Sequence, residues 1–125
     1  MKQQTLTKSE MQVMNILWSL DRGACVNDIL AQYPDPKPAY TTIATFLKIL
    51  TQKGFIEYKK GTGKLLIYSP LITKEKYRRQ VMEEVKDDFF GNSFKSMFSF
   101  FVREDHLTAE EIQELIDQIK EDEKI

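Results

Sequence analysis

The sequence is poor in the residues that build disulfides and metal centres. Its 125 residues include one cysteine, Cys25, and one histidine, His106. A single cysteine cannot form an internal disulfide, and one Cys with one His gives too few ligands for a zinc site within one chain. We therefore expect no metal and no cofactor, and we interpret Cys25 as a small buried hydrophobe rather than a nucleophile.

Long apolar runs are missing as well. No stretch approaches the roughly 20 apolar residues that a membrane-spanning helix needs. The first ten residues, MKQQTLTKSE, lack the apolar core of a signal peptide. Because 42% of the residues are hydrophobic and 30% are charged, we expect a folded, soluble, cytoplasmic protein with no membrane partner.

Patterns typical of catalysis are also absent. We find no nucleophile–base pair, no glycine-rich phosphate loop and no set of metal ligands. The paired acids Glu83-Glu84 and Glu110-Glu111 lie in segments with the pattern of solvated helix faces. We expect that the protein is not an enzyme.

Acidic residues are scarce in the first two thirds of the chain. Residues 1–82 hold 13 Lys and Arg against 6 Asp and Glu, whereas residues 83–125 hold 5 against 13. The formal net charge of -1 conceals this asymmetry. A basic half suits a polyanionic partner, and an acidic half suits a different role.

One stretch, from Ala39 to Gly54, contains no acid at all. It predicts an amphipathic helix, because apolar residues recur at helical spacing; they are Ile43, Phe46, Leu47 and Leu50. The opposite face carries Thr41, Thr45, Lys48 and Gln52, with Ala44 to one side. Such side chains reach phosphates and base edges, and a carboxylate there would be repelled by a duplex. The same pattern also fits a core helix that is short of acids.

A basic hairpin is predicted directly after this helix. Residues 55–60 (FIEYKK) and 64–69 (KLLIYS) have strand composition, and Gly61-Thr62-Gly63 joins them in a tight loop. Lys59, Lys60 and Lys64 cluster at its tip. Alone, these lysines would fit a role in solubility, but beside an acid-free helix they favour DNA binding.

The order of the predicted elements is that of a winged helix-turn-helix. Thr7 and Glu10 fit a capping box for a first helix that ends near Leu20 and places Trp18 in the core. Residues 25–33 predict a short second helix, and a proline-bearing loop at 34–38 leads to the third. We expect residues 1–72 to form a winged-helix DNA-binding domain whose third helix enters the major groove.

Residues 73–125 predict three short helices with more apolar positions than they can bury in one chain. A surplus of this kind marks a partner surface, and the simplest partner is a second copy. The alternative is that the segment packs on its own winged domain. We assign to the dimer interface Tyr77, Val81, Phe89, Phe90, Phe94, Met97, Phe98, Phe101, Ile112, Leu115, Ile116 and Ile119. The expected fold is therefore mainly α with a small β-hairpin, comprising a winged helix and a helical dimerisation domain at 73–125.

Four blocks of the sequence resemble the penicillinase repressor family of bacterial regulators, which includes the methicillin-resistance and copper-responsive repressors. They are LTKSEMQVMNILW, YTTIATFLKILTQKGFI, the KK…YSP hairpin and, more weakly, FVREDHLTAEEIQEL. The resemblance implies a homodimeric repressor that binds a dyad-symmetric double-stranded DNA operator. It places contacts on Tyr40, Thr41, Thr42 and Thr45 and on the wing lysines. A position that is often basic in the family is Ala44 here, so the operator sequence does not carry over.

The resemblance also implies a mode of induction. In the antibiotic-responsive branch a regulatory protease cuts an Asn-Phe bond in the dimerisation region. The matching bond here is Phe100-Phe101, so the asparagine is missing and the same protease specificity does not follow. The copper-responsive branch has a cysteine-rich C-terminal motif, which EDEKI does not match, so we do not expect that mode.

Two functions are compatible with these sequence patterns. The first is a dimeric transcriptional repressor whose DNA-contacting residues are Tyr40, Thr41, Thr42, Thr45, Lys48, Lys59, Lys60 and Lys64. The second is a protein-interaction module that keeps the winged helix without binding DNA. Its working surface would be the Phe-rich segment and the acidic tail.

Overall fold

A computed structural model describes residues 5–123 of the chain. Their elements are α1 Lys8–Leu20, α2 Val26–Leu30, α3 Tyr40–Lys53, β1 Ile56–Lys60, β2 Leu66–Pro70, α4 Lys74–Phe89, α5 Phe94–Glu104 and α6 Ala109–Glu123. The chain divides into two compact units, with the boundary between Val81 and Met82. The mainly helical fold with one hairpin confirms the predicted class.

The start of α1 is fixed by the predicted capping box. The Thr7 hydroxyl accepts a hydrogen bond from the Glu10 N–H at 3.2 Å, and the Glu10 carboxylate accepts one from the Thr7 N–H at 2.9 Å. Both donors belong to the first turn, where helices leave N–H groups unpaired. The helix ends at Leu20, as the sequence predicts.

The second helix is shorter than predicted. Helix α2 covers Val26–Leu30, and residues 31–33 form a turn instead. Tyr33 precedes Pro34, and a residue before proline is disfavoured in the α conformation. The Leu30 carbonyl accepts from the Tyr33 N–H at 3.1 Å. The ammonium of Lys37 donates to the same carbonyl at 3.0 Å and also to the Tyr33 carbonyl, so it ties together the turn that follows α2.

The core of the N-terminal unit lies between the three helices and the hairpin. In α3, Ile43, Leu47 and Leu50 are fully buried, which confirms the predicted stripe, and Phe46 is partly buried at its margin. Trp18 also lies at the edge of the core, where its indole N–H donates to the Ile72 carbonyl at 2.9 Å. The buried stripe of α3 turns the opposite face of this helix outward.

The hairpin pairs β1 with β2 in antiparallel register. Tyr58 lies opposite Tyr68, and Lys60 lies opposite Leu66. The connecting loop is longer than the predicted three residues, because β2 begins only at Leu66. Within it the Gly61 N–H donates to the Leu65 carbonyl at 2.7 Å. On its other side, Tyr68 exchanges two backbone hydrogen bonds with Ala24, at 2.8 and 2.9 Å.

The C-terminal unit contains the last turns of α4 together with α5 and α6. Helix α5 starts at a Ser93 cap, and α6 starts at a reciprocal pair of hydrogen bonds between Thr108 and Glu111, each 3.1 Å long. In residues 82–123, only Met97 is buried. None of the helices between residues 5 and 123 is long and apolar enough to cross a membrane.

Candidate nucleic-acid interface

The outer face of α3 displays the residues that the sequence marks for DNA contact. Tyr40, Thr41, Thr42, Thr45 and Lys48 are all exposed, and 54% of the Tyr40 surface is accessible. Gln52 is exposed on the same helix, and Ala44 is half-buried. This face therefore presents hydroxyls, one ammonium and one amide without a carboxylate.

The hydroxyl of one threonine on this face already donates a hydrogen bond within the helix. The Thr45 hydroxyl donates to the Thr41 carbonyl one turn earlier, at 2.9 Å. A hydroxyl in that state still has an acceptor oxygen to offer, and its methyl group can contact apolar groups such as the thymine methyl. Within residues 5–123, the side chains of Thr41 and Thr42 make no hydrogen bond, so both hydroxyls can donate to a ligand.

The N-terminal end of α3 is electrostatically suited to an anion. Its cap residue, Ala39, has no side chain that could accept from the first N–H groups, and the first turn contains no acid. Unpaired N–H groups and the helix dipole make such an end favourable for phosphate. The first two residues of the helix, Tyr40 and Thr41, add hydroxyl donors there.

The wing presents its lysines to solvent. Lys59, Lys60 and Lys64 are exposed, and none of them forms an ion pair within the described part of the chain. Because side chains alternate along a strand, Lys60 shares a face of β1 with Tyr58, while Lys59 lies on the other face. The wing can therefore offer cations to both of its sides.

A groove of about 460 Å³ lies between α3 and the wing. Its lining residues are Val26, Tyr40, Ala44, Lys64, Leu65, Leu66 and Tyr68. The structure thus brings Tyr40 and Lys64, predicted from separate motifs, to one site. Lys48, Lys59 and Lys60 lie outside this lining.

Two tyrosines in this region were not predicted from the sequence. Tyr58 is 52% exposed, and its ring lies 5.9 Å from the ring of Tyr68, measured between centroids. Burial raises the pKa of the Tyr68 hydroxyl, and the neighbouring Tyr40 and Tyr58 raise it further, so Tyr68 is a neutral donor at physiological pH. The available signal was one tyrosine in each predicted strand, Tyr58 directly before Lys59 and Tyr68 four residues after Lys64.

The residues predicted for a dimer interface fall into three groups by exposure. Seven are exposed: Phe89, Phe94, Phe98, Phe101, Leu115, Ile116 and Ile119. Three are partly buried: Val81, Phe90 and Ile112. Two are buried within the chain, Met97 in the C-terminal unit and Tyr77 in the N-terminal unit.

Tyr77 belongs to the core of the N-terminal unit. Its hydroxyl accepts a hydrogen bond from the Leu6 N–H at 3.0 Å. Its ring meets Phe55 edge-on at 5.5 Å and lies 6.1 Å from Trp18. The first turns of α4 are thus packed into the winged helix.

The bond between Phe100 and Phe101 lies inside α5. Both residues are exposed, at 41% and 43%, and the Phe101 carbonyl accepts from the Asp105 N–H at 2.9 Å.

Among residues 5–123, no group of three or more His, Cys, Asp or Glu residues could hold a metal ion. The Cys25 thiol is free and half-buried.

Comparison with known proteins covers nearly all of this structure. Residues 6–121 match the model of the family described as penicillinase repressor. The chain is 29% identical to the methicillin resistance regulatory protein MecI of Staphylococcus aureus (strain N315), over 88% of this chain and 89% of that protein. It is 28% identical to the penicillinase repressor of Bacillus licheniformis, over 93% of this chain and 90% of that protein.

Proposed function

Because this chain belongs to the penicillinase repressor family, we propose that it is a dimeric transcriptional repressor that binds a dyad-symmetric DNA operator. One observation carries this proposal. An exposed, acid-free face of α3 meets a wing whose lysines have no acidic partner among residues 5–123. In this arrangement α3 enters the major groove and the wing contacts the adjacent backbone.

The contacts divide by chemistry into two kinds. Lys48, Lys59, Lys60 and Lys64 neutralise phosphates, which gives affinity without sequence information. Thr41, Thr42 and Thr45 lie on the face of α3 that would approach the base edges, so they select sequence. Tyr40 lines the groove beside the wing and contacts the DNA backbone.

Dimerisation is supported by the unpartnered apolar surface of the C-terminal unit. Phe94, Phe98 and Phe101 recur along one face of α5 at i, i+4 and i+7, which is helical spacing. Leu115, Ile116 and Ile119 form a similar face on α6. We assign this surface to a second copy of the chain, because two copies present two α3 helices, as a dyad-symmetric operator requires.

Induction by proteolysis extends this proposal. Cleavage between Phe100 and Phe101 separates α6 from the rest of the chain and removes part of the apolar surface. The bond lies within a helix, whereas proteases act on extended or locally unfolded segments. A regulatory protease therefore acts only after α5 opens locally.

Salt dependence of DNA binding tests the assignment of the wing. For Lys60→Ala combined with Lys64→Ala, we expect weaker binding to every duplex and a slope of log affinity against log salt that is smaller by about 2, or about 1 per phosphate contact. The matched control is Lys120→Ala on α6, which should leave affinity and slope unchanged. An unchanged slope in the double variant would remove Lys60 and Lys64 from the interface.

Sequence preference tests the assignment of α3. Replacing Thr41 by Ala should change which sequences are selected from a random duplex pool more than it changes the mean affinity. If the wild-type protein shifts no duplex at micromolar concentration and low salt, the chain is an interaction module that does not bind DNA.

A further inference from the structure

The groove between α3 and the wing combines two kinds of surface. Val26, Ala44, Leu65 and Leu66 give it apolar walls. The Lys64 ammonium and the tyrosines at 40 and 68 add donors, and none of the described residues that line it is acidic. A purely apolar ligand would leave these donors unpaired, and a small inorganic anion would leave the apolar walls uncovered. A deoxyribose with its phosphate satisfies both surfaces.

Tyr58 lies outside the groove lining, but its ring is 5.9 Å from the ring of Tyr68, which lines the groove. It lies directly opposite Tyr68 in the strand register, so the two side chains share one face of the sheet. Tyr58 is 52% exposed, and within residues 5–123 its hydroxyl makes no hydrogen bond. A phenol that shares its strand face with Lys60 and with a tyrosine of the groove lining is suited to donate to a phosphate oxygen.

We propose that the groove holds the sugar–phosphate backbone of one strand of duplex DNA, and that the Tyr58 hydroxyl donates to one of its phosphates. This inference rests on the proposed function, which puts DNA on both α3 and the wing. A strand that passes from one element to the other crosses the groove between them. The deoxyribose then packs on Ala44 and Leu66, and the flanking phosphates face Lys64 and Tyr58.

The test distinguishes a neutral hydrogen-bond donor, the Tyr58 hydroxyl, from a charged one, the Lys64 ammonium, by their effects on affinity and salt dependence. Tyr58→Phe keeps the ring and removes only the hydroxyl. With a random-sequence duplex at about 50 mM salt, we expect binding about 5-fold weaker, as for one lost hydrogen bond. The salt slope should stay that of the wild type, because a phenol displaces no counterion. Lys64→Ala should lower the slope by about 1.

A control removes a hydroxyl elsewhere in the same unit. Tyr33 is buried outside the groove, so Tyr33→Phe should bind duplex like the wild type. Thermal unfolding of Tyr58→Phe should match that of the wild type, because an exposed hydroxyl without a partner contributes little to stability. A lower melting temperature would indicate a structural role and would overturn the contact.

Three further results would overturn either this inference or the proposed function on which it rests. If the wild type binds no duplex, the proposed function fails. If the wild type and Lys64→Ala behave as expected but Tyr58→Phe binds at full strength, only the groove proposal fails. If deoxythymidine monophosphate at micromolar concentration binds the protein in a Tyr58-dependent manner, the groove is a small-ligand site instead.

Discussion

Glu10 shows how one side chain can serve two structural purposes. Its carboxylate caps α1 and also forms an ion pair with the Lys53 ammonium at 2.7 Å, although the two residues are 43 positions apart. The Glu10 side chain is only 5% exposed and that of Lys53 is 19% exposed. The pair therefore joins the first turn of α1 to the last turn of α3, the helix that carries the candidate DNA surface.

This pair should make stability depend on pH. Burial by itself raises the pKa of Glu10, but the hydrogen bonds from Lys53 and Thr7 and the charge of Lys53 outweigh it, so the pKa lies below the ordinary 4.5. A carboxyl group whose pKa is lower in the folded than in the unfolded state contributes stability, and this contribution is fully present above the unfolded-state pKa. It is lost as the pH falls through the folded pKa. We expect the free energy of unfolding to decline below about pH 4.5.

Glu10→Gln should lessen this decline and cost about 1–3 kcal/mol at neutral pH, because it leaves Lys53 without its charged partner. The free energy of unfolding is measured by urea titration between pH 3 and pH 7, in steps of about 0.5 pH unit. The matched control is Glu111→Gln, which alters the equivalent cap of α6 at an exposed carboxylate. Parallel pH profiles for the wild type and Glu10→Gln would contradict the role of the pair.

At this scale the sequence predicts local partners but not distant ones. The hydrogen bonds between Thr7 and Glu10 span three residues, so their spacing is visible in the sequence. The Glu10–Lys53 pair and the neighbouring rings of Tyr58 and Tyr68 depend on how helices and strands pack. No local pattern encodes those distances.

Among the elements, the hairpin depends on a close approach at Gly23. A Cβ atom added at this residue would overlap the Cγ2 of Ile67 on β2 and lie 3.4 Å from the Ser69 hydroxyl oxygen. Gly23 precedes Ala24, which pairs with Tyr68 through two backbone hydrogen bonds. The absence of a side chain therefore lets this turn lie against the strand whose Tyr68 lines the groove.

Gly23→Ala should destabilise the N-terminal unit by about 1–3 kcal/mol, the usual cost of overpacking. Thermal unfolding followed by circular dichroism measures the loss. Removing the overlapping methyl with Ile67→Ala should recover part of it in a double-mutant cycle. If Gly23→Ala melts at the wild-type temperature, or if Ile67→Ala adds its full cost to it, the close approach is not what constrains this position.

Sequence periodicity predicted the elements better than it predicted their ends. The bounds of α1 and the buried stripe of α3 follow from caps and from apolar spacing. The early end of α2 reflects Pro34 acting on Tyr33, and the wider hairpin loop reflects the hydrogen bond between Gly61 and Leu65. Both depend on backbone geometry that composition describes poorly.

For the whole molecule, the two units bury their apolar residues very differently. The N-terminal unit has a core contributed by all its elements, including Tyr77 at the start of α4. In the described part of the C-terminal unit, Met97 alone is buried, while Phe89 is 77% exposed and Ile119 is 57% exposed. Exposed apolar surface of this extent is typical of an interface, and a second chain is our proposal for its partner.

Assembly tests that proposal. We expect the wild type to sediment at twice its 14.7 kDa mass at micromolar concentration, and Phe98→Asp combined with Ile116→Asp to shift it toward the monomer. Both positions are exposed in the single chain, so the charges should oppose association rather than folding. Leu71→Asp places a charge on an exposed apolar residue of the N-terminal unit and should leave the dimer intact. A monomeric wild type would contradict the proposal.

Trp18 gives the molecule a built-in optical label. It is the only tryptophan in the sequence, and its indole is held between the Ile72 carbonyl and the ring of Tyr77. Its emission therefore reports on the N-terminal unit alone, whereas the far-ultraviolet signal of the helices averages over both units. Recording the two signals during the same denaturation would reveal whether the units melt together or in separate steps, without attaching a dye.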